Sequence, residues 1–149
     1  MLDYSDSRFG RFLLYLLVWH AEAKDWDPHG YRLEFDGAQV LADFQPQWHH
    51  IFPKKFLGER YDDLEINALA NIAVIGPTIN IRISAKNPME YLQKYKISAD
   101  KLADQFITSD LGSTPAEKYS EFLKGRAQAL SAEANKYLGA LRDGIEAST

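Results

Sequence analysis

Three observations predict an α+β fold. Apolar residues recur at helical spacing near both ends of the 149-residue chain. The middle holds two short β-prone runs, Trp48 to Phe52 and Ile72 to Gly76, separated by a polar stretch. The second run meets Pro77-Thr78, which suits the first turn of a helix. The length fits one domain, and 46% hydrophobic with 13% aromatic residues is enough for a packed core.

Each element follows from local chemistry. Ser5, Asp6 or Ser7 can cap a first helix running to about Lys24. Its apolar residues, Phe9, Phe12, Leu13, Leu16, Leu17 and Trp19, are dense enough to predict burial on more than one side. Asp25 to Gly30 reads as a loop, Tyr31 to Phe35 as a short strand, and Ala38 to Phe44 as a short helix. After the first central strand, Pro53 to Leu57 is expected to form a helical turn. Gly58 to Glu65 reads as a polar loop, and Ile66 to Ala70 as a further helical stretch. The helix opened by Pro77 carries Asn80 and Ile83. Ser84 to Asn87 is a turn, and Pro88 starts a helix ending near Lys96. Ser98 caps a helix to about Ile107. Thr114-Pro115-Ala116-Glu117 has the form of a capping box for a long helix to about Asp143. Tyr119, Phe122, Leu123, Leu130, Ala134, Tyr137, Leu138 and Leu141 form one stripe on it, serving as core or as a surface for a neighbour.

Composition narrows the function classes. No apolar run approaches the roughly 18 residues of a membrane-spanning helix. The sequence from Met1 to Asp6 has no basic leader region. With no cysteine, disulfides and thiolate zinc sites are excluded. A cytoplasmic protein is expected, with no membrane partner. The net charge is −4, yet residues 49–101 carry a net +2 on an otherwise acidic body. That asymmetry is mild support for phosphate contact.

The chemistry concentrates in Trp48-His49-His50-Ile51-Phe52-Pro53, with Asn71 and Asn80 downstream. Adjacent histidines on an extended run face opposite sides. One imidazole can therefore bind a metal while its neighbour moves protons. Phosphodiester hydrolysis needs an activated water, charge stabilisation on the phosphate and help for the leaving oxygen. A divalent cation supplies the last two, and a neutral imidazole supplies the first.

The strings HHIFPKKFL, INALANIAVIG and TINIRISAKNPMEYL carry a family resemblance. They resemble the ββα-metal fold of HNH (His-Me finger) endonucleases. They are most similar to the C-terminal HNH domain of GmrSD-type restriction and phage-defence proteins. The core motif spans residues 48–92, with helical flanks at 5–24 and 98–143. The nine-residue step from Asn71 to Asn80 matches the HNH domains of RNA-guided CRISPR nucleases.

The resemblance implies a role for each residue. His50 matches the general base that precedes Ile-x-Pro. His49 and Asn80 match metal ligands, and Asn71 matches the middle asparagine, which closes the loop and orients the His50 ring. One imidazole and one amide oxygen make a ligand set poor in charge, so Mg²⁺ would bind weakly. Mn²⁺, and also Ni²⁺ or Zn²⁺, suit a histidine better. Lys54, Lys55, Arg82 and Lys86, with Arg60, flank the motif as candidate phosphate contacts. His20 and His29 lie outside it.

The expected function is metal-dependent hydrolysis of DNA in restriction or phage defence. The relatives also carry an NTPase-like sensing domain. Residues 1–149 show no phosphate-binding loop of that kind. The expectation is a single HNH domain that is a fragment of a longer protein or works with a separate partner. The alternative is a non-catalytic module on the same fold that binds nucleic acid or protein. Nothing in the residues separates DNA from RNA.

Overall fold

The computed structural model describes residues 3–28, 33, 46–108 and 110–146. It is an α+β arrangement of seven helices around one two-stranded antiparallel sheet among these residues. The order is α1 (Arg8–His20), β1 (Gln47–His50), α2 (Lys54–Leu57), α3 (Asp63–Ile66), β2 (Ile72–Ile75), α4 (Pro77–Ile83), α5 (Pro88–Tyr95), α6 (Ala99–Ala103) and α7 (Tyr119–Glu146). The expected strand over Tyr31 to Phe35 and helix over Ala38 to Phe44 lie outside the described residues, Leu33 excepted. So does His29. Among the described residues no helix is long and apolar enough to cross a membrane.

The sheet divides the core in two. β1 and β2 pair in the register Gln47 with Ile75, Trp48 with Val74, His49 with Ala73 and His50 with Ile72. All four β2 residues are buried, so the strand reads as a continuous apolar run. Alternation sends Ile72 and Val74 towards Leu14, Leu17 and Val18 of α1 and Leu130 of α7. It sends Ala73 and Ile75 towards Trp26, Ile79 and Tyr91. Gln105 closes the outer edge of β2: its amide accepts from the Val74 N–H (3.2 Å) and donates to the Val74 carbonyl (2.6 Å). Arg126 of α7 is buried beside it. Its guanidinium donates to the carbonyls of Gln105 (3.1 Å), Ala70 (2.8 Å) and Ile72 (2.7 Å). Burial pulls its pKa down to about 9, which leaves it cationic at neutral pH.

Local rules account for most boundaries. Ser7 caps α1 by accepting from the Gly10 N–H. Asn87 caps α5 from the Glu90 N–H, with Pro88 at the first position, and Ser98 caps α6. Four expectations are corrected. First, α1 buries only one face, Gly10, Leu14, Leu17 and Val18, while Phe9 and Phe12 are exposed. Second, β1 ends at His50, because Ile51 and Phe52 turn to bond with Asn71 instead. Third, the polar stretch before Ile66 contains α3, held by a reciprocal capping box between Asp62 and Glu65. Fourth, the Thr114 capping box does not form. The Thr114 hydroxyl donates to the Asp110 carbonyl (2.7 Å), Pro115 leads into one tight turn, and α7 begins at Tyr119. The α7 stripe is core as far as Leu130 and exposed at Leu138 and Leu141.

Candidate active site

The histidine pair sits at the end of β1, and strand alternation separates the two rings. His49 points into the core between Trp26 and Tyr91, with both rings edge-on at 5.9 and 5.8 Å. It is only 4% exposed. Its Nδ1 lies 3.0 Å from Oδ1 of Asn80. Asn80 is half-buried on α4, in the turn after Pro77. The fold thus joins two residues 31 positions apart, one from strand and one from helix. Nε2 of His49 is buried and has no hydrogen-bond partner among the described residues.

His50 points the other way and is half-buried. Its Nε2 lies 3.1 Å from Oδ1 of Asn67, and the Tyr4 ring packs edge-on at 5.3 Å. Burial lowers its pKa, partly offset by the Asn67 bond, so the ring is neutral at physiological pH. A neutral imidazole is the form that can accept a proton.

Asn71 closes the loop between the strands, as expected, but it does so on the backbone. Its fully buried amide accepts from the Phe52 N–H (2.9 Å) and donates to the carbonyls of Phe52 (3.0 Å) and Ile66 (2.9 Å). The Asn71 carbonyl accepts from the Ile51 N–H at 2.8 Å. These bonds extend the β-ribbon one step beyond His50 using a side chain. The expected Asn71 bond to the His50 ring is not made; the ring bonds instead to the amide oxygen of Asn67. Asn67 has a signal in the sequence: it follows the Asp62–Glu65 capping box directly after one short helix. Tyr91, Trp26 and Asp25 were also not legible as site residues. Tyr91 donates to the Ile51 carbonyl (3.0 Å), and Asp25 accepts from the Gly76 N–H at the start of α4 (2.8 Å).

The basic residues are mostly engaged. Arg82 is paired with Asp27 at 3.0 Å, so its charge is offset by a buried carboxylate. Lys54 pairs with Asp63 on the surface, and Arg60 with Glu117. Lys86 donates to the carbonyls of Arg82 (2.7 Å) and Ile83 (3.2 Å), closing the end of α4. Lys55 is exposed and has no ion pair among the described residues. Of the five flanking cations, three have an acidic partner among the described residues, Lys86 bonds backbone carbonyls only, and Lys55 has no ion pair there.

Two of the expected metal ligands meet. Donors bound to one cation at about 2.1 Å and at right angles lie roughly 3 Å apart. The 3.0 Å separation of His49 Nδ1 and Asn80 Oδ1 has that spacing. Burial pushes the His49 pKa down to about 4, so the ring is neutral; its one N–H lies on Nδ1, donated to Asn80 Oδ1, and its lone pair lies on Nε2. The same 3.0 Å is an ordinary hydrogen-bond length, so a cation held between Nδ1 and Oδ1 would have to displace the Nδ1 proton. Among the described residues no cluster of three or more His, Asp or Glu side chains is placed to hold a metal ion.

Burying His49 has a cost in acid. Between pH 6.5 and about 4 the unfolded chain takes up this proton and the folded one does not. Stability is therefore expected to fall through that window by roughly 3 kcal/mol and to level off below it. The Asp25 carboxyl, raised by burial, acts in the opposite sense over a lower window above pH 3.8. Urea midpoints at pH 7 and pH 4.5 check this. A His49→Phe variant is expected to lose less than the wild type, and equal losses would remove His49 as the cause.

No family model, curated protein or solved structure matches the chain.

Proposed function

We propose that this chain is a metal-dependent HNH-type endonuclease that hydrolyses DNA phosphodiester bonds, serving in restriction or phage defence. Its ββα-metal core would consist of β1, β2 and α4. The observation that carries this reading is the His49–Asn80 contact at 3.0 Å, with a neutral His50 next in the strand. The sequence resemblance assigns these residues as ligand, ligand and base, and the 3.0 Å contact keeps the first two side by side.

The chemistry divides by residue. His50 accepts a proton from water as that water's oxygen attacks phosphorus. The P–O bond to the leaving sugar oxygen breaks, and that oxygen takes a proton from solvent. His49 and Asn80 would hold the cation. When bound, the cation neutralises charge on the phosphoryl and leaving oxygens. Asn71 fixes Ile51 and Phe52, and so sets where β1 ends and where His50 points. Among the described residues β1 has no second strand partner. Lys55 contributes charge without base readout. An NTPase-like sensing domain, fused or separate, would direct the cut.

One observation favours the rival reading of a non-catalytic binding module. His49 is enclosed by Trp26 and Tyr91 and already satisfied at Nδ1, as a scaffold histidine would be. A calorimetric titration with Mn²⁺ separates the two readings. Wild type is expected to bind Mn²⁺, and Asn80→Ala to bind at least tenfold more weakly. Titrations that coincide remove Asn80 from the ligand set and leave the scaffold reading.

A further inference from the structure

We propose that Asn67 is the positioning residue for His50: it holds the ring in the Nε2–H tautomer and thereby makes Nδ1 the atom that accepts the proton. The amide oxygen of Asn67 is only an acceptor, so the nitrogen 3.1 Å from it must carry the hydrogen. A neutral imidazole has one N–H, which leaves the lone pair on Nδ1. The ring makes no other hydrogen bond among the described residues.

Asn67 is well placed to impose this choice, because its backbone is tied on several sides. Its N–H donates to the Asp63 carbonyl (2.9 Å), ending α3, and its carbonyl accepts from the Tyr4 N–H (2.9 Å). Ile66, its neighbour, is held at its carbonyl by Asn71 Nδ2 (2.9 Å). Asp3 bridges to Ala68 on the other side. Tyr4, tied to Asn67, also covers the His50 ring edge-on. The loop that Asn71 closes thus presents Asn67 to His50. The middle asparagine acts on the ring at one remove, through Ile66 and Asn67.

The catalytic consequence rests on the nuclease reading, whereas the tautomer does not. The test therefore reads both. The ring nitrogens of His50 are followed by NMR on protein labelled with ¹⁵N-histidine, at about pH 8 where an imidazole is neutral. Wild type is expected to show a protonated Nε2 and a pyridine-like Nδ1. Asn67→Ala should give a mixture of tautomers, and Asn67→Asp, which keeps an acceptor, should restore the wild-type form. In DNA cleavage, Asn67→Ala should lower kcat by about 10- to 100-fold with KM unchanged, and Asn67→Asp should recover part of it. A protonated Nδ1 in wild type overturns the proposal, as does an Asn67→Ala spectrum identical to wild type. If wild type shows the expected tautomer but cleaves no DNA, the positioning stands and the nuclease reading falls.

Discussion

Replacing His50 with alanine is expected to slow DNA cleavage by about 10²–10⁴-fold while leaving the fold intact. The fold should survive because His50 is half-buried and its polar contact is a single bond to Asn67. The neighbouring β1 residues keep their register through Gln47, Trp48 and His49. The loss should fall on kcat, because the ring is placed to take a proton in the transition state and not to bind DNA. The Mn²⁺ titration of this variant should match wild type, since the ligands assigned to the cation are His49 and Asn80. Single-turnover cleavage of a labelled duplex measures the rate, and circular dichroism checks the fold. Cleavage within twofold of wild type would remove His50 as the base.

Asn71→Ala is expected to act differently, by destabilising the protein roughly 3–6 kcal/mol. The side chain is fully buried and makes three hydrogen bonds, to Phe52 N–H, Phe52 carbonyl and Ile66 carbonyl. Truncation strands all three backbone groups in the core, each at a cost of about 1–2 kcal/mol. The total is a large share of the 5–15 kcal/mol that holds a typical domain together. Asn71→Asp is not a rescue. The carboxylate still accepts from Phe52 but cannot donate to the two carbonyls, and it carries a buried charge. Urea unfolding gives the measurement. A shift under 1 kcal/mol for Asn71→Ala would mean that water or backbone movement replaces these bonds. The two variants together separate proton transfer from loop closure, which a nuclease assay alone would merge.

The parts of the fold that obey local rules were legible in the sequence. Pro77 and Pro88 open helices where proline is expected, and Ser7 and Ser98 cap theirs; Asn87, expected only as a turn residue, is the cap of α5. The apolar run at Ile72 gave the buried strand. Elements set by competition between side chains were less legible. Thr114 has the sequence of a cap, but Asp110 captures its hydroxyl first. Phe9 and Phe12 look like core until packing turns α1 to use Leu14, Leu17 and Val18. His49, His50 and Asn80 lie on the strand and helix expected of them. What escaped were the residues that only folding brings in. Trp26 and Tyr91 enclose His49, Asp27 takes Arg82, and Asn67 takes the partner role expected of Asn71. Trp26, Tyr91 and Asp27 have no spacing that advertises a contact, and the capping box before Asn67 marks a helix end without naming His50 as its partner. The buried Arg126 and Gln105 belong to the same group, since each serves backbone carbonyls or amides that no sequence pattern marks.

The central claim is that His49, Asn80 and His50 hydrolyse DNA with a divalent cation. Plasmid nicking tests it most directly, with the full chain in Mg²⁺, Mn²⁺ or Ni²⁺ set against EDTA and with His50→Ala in parallel. The account predicts nicking in at least one metal, abolished by EDTA and reduced at least a hundredfold in His50→Ala. Nicking that persists in EDTA, or that His50→Ala performs as fast as wild type, would contradict it.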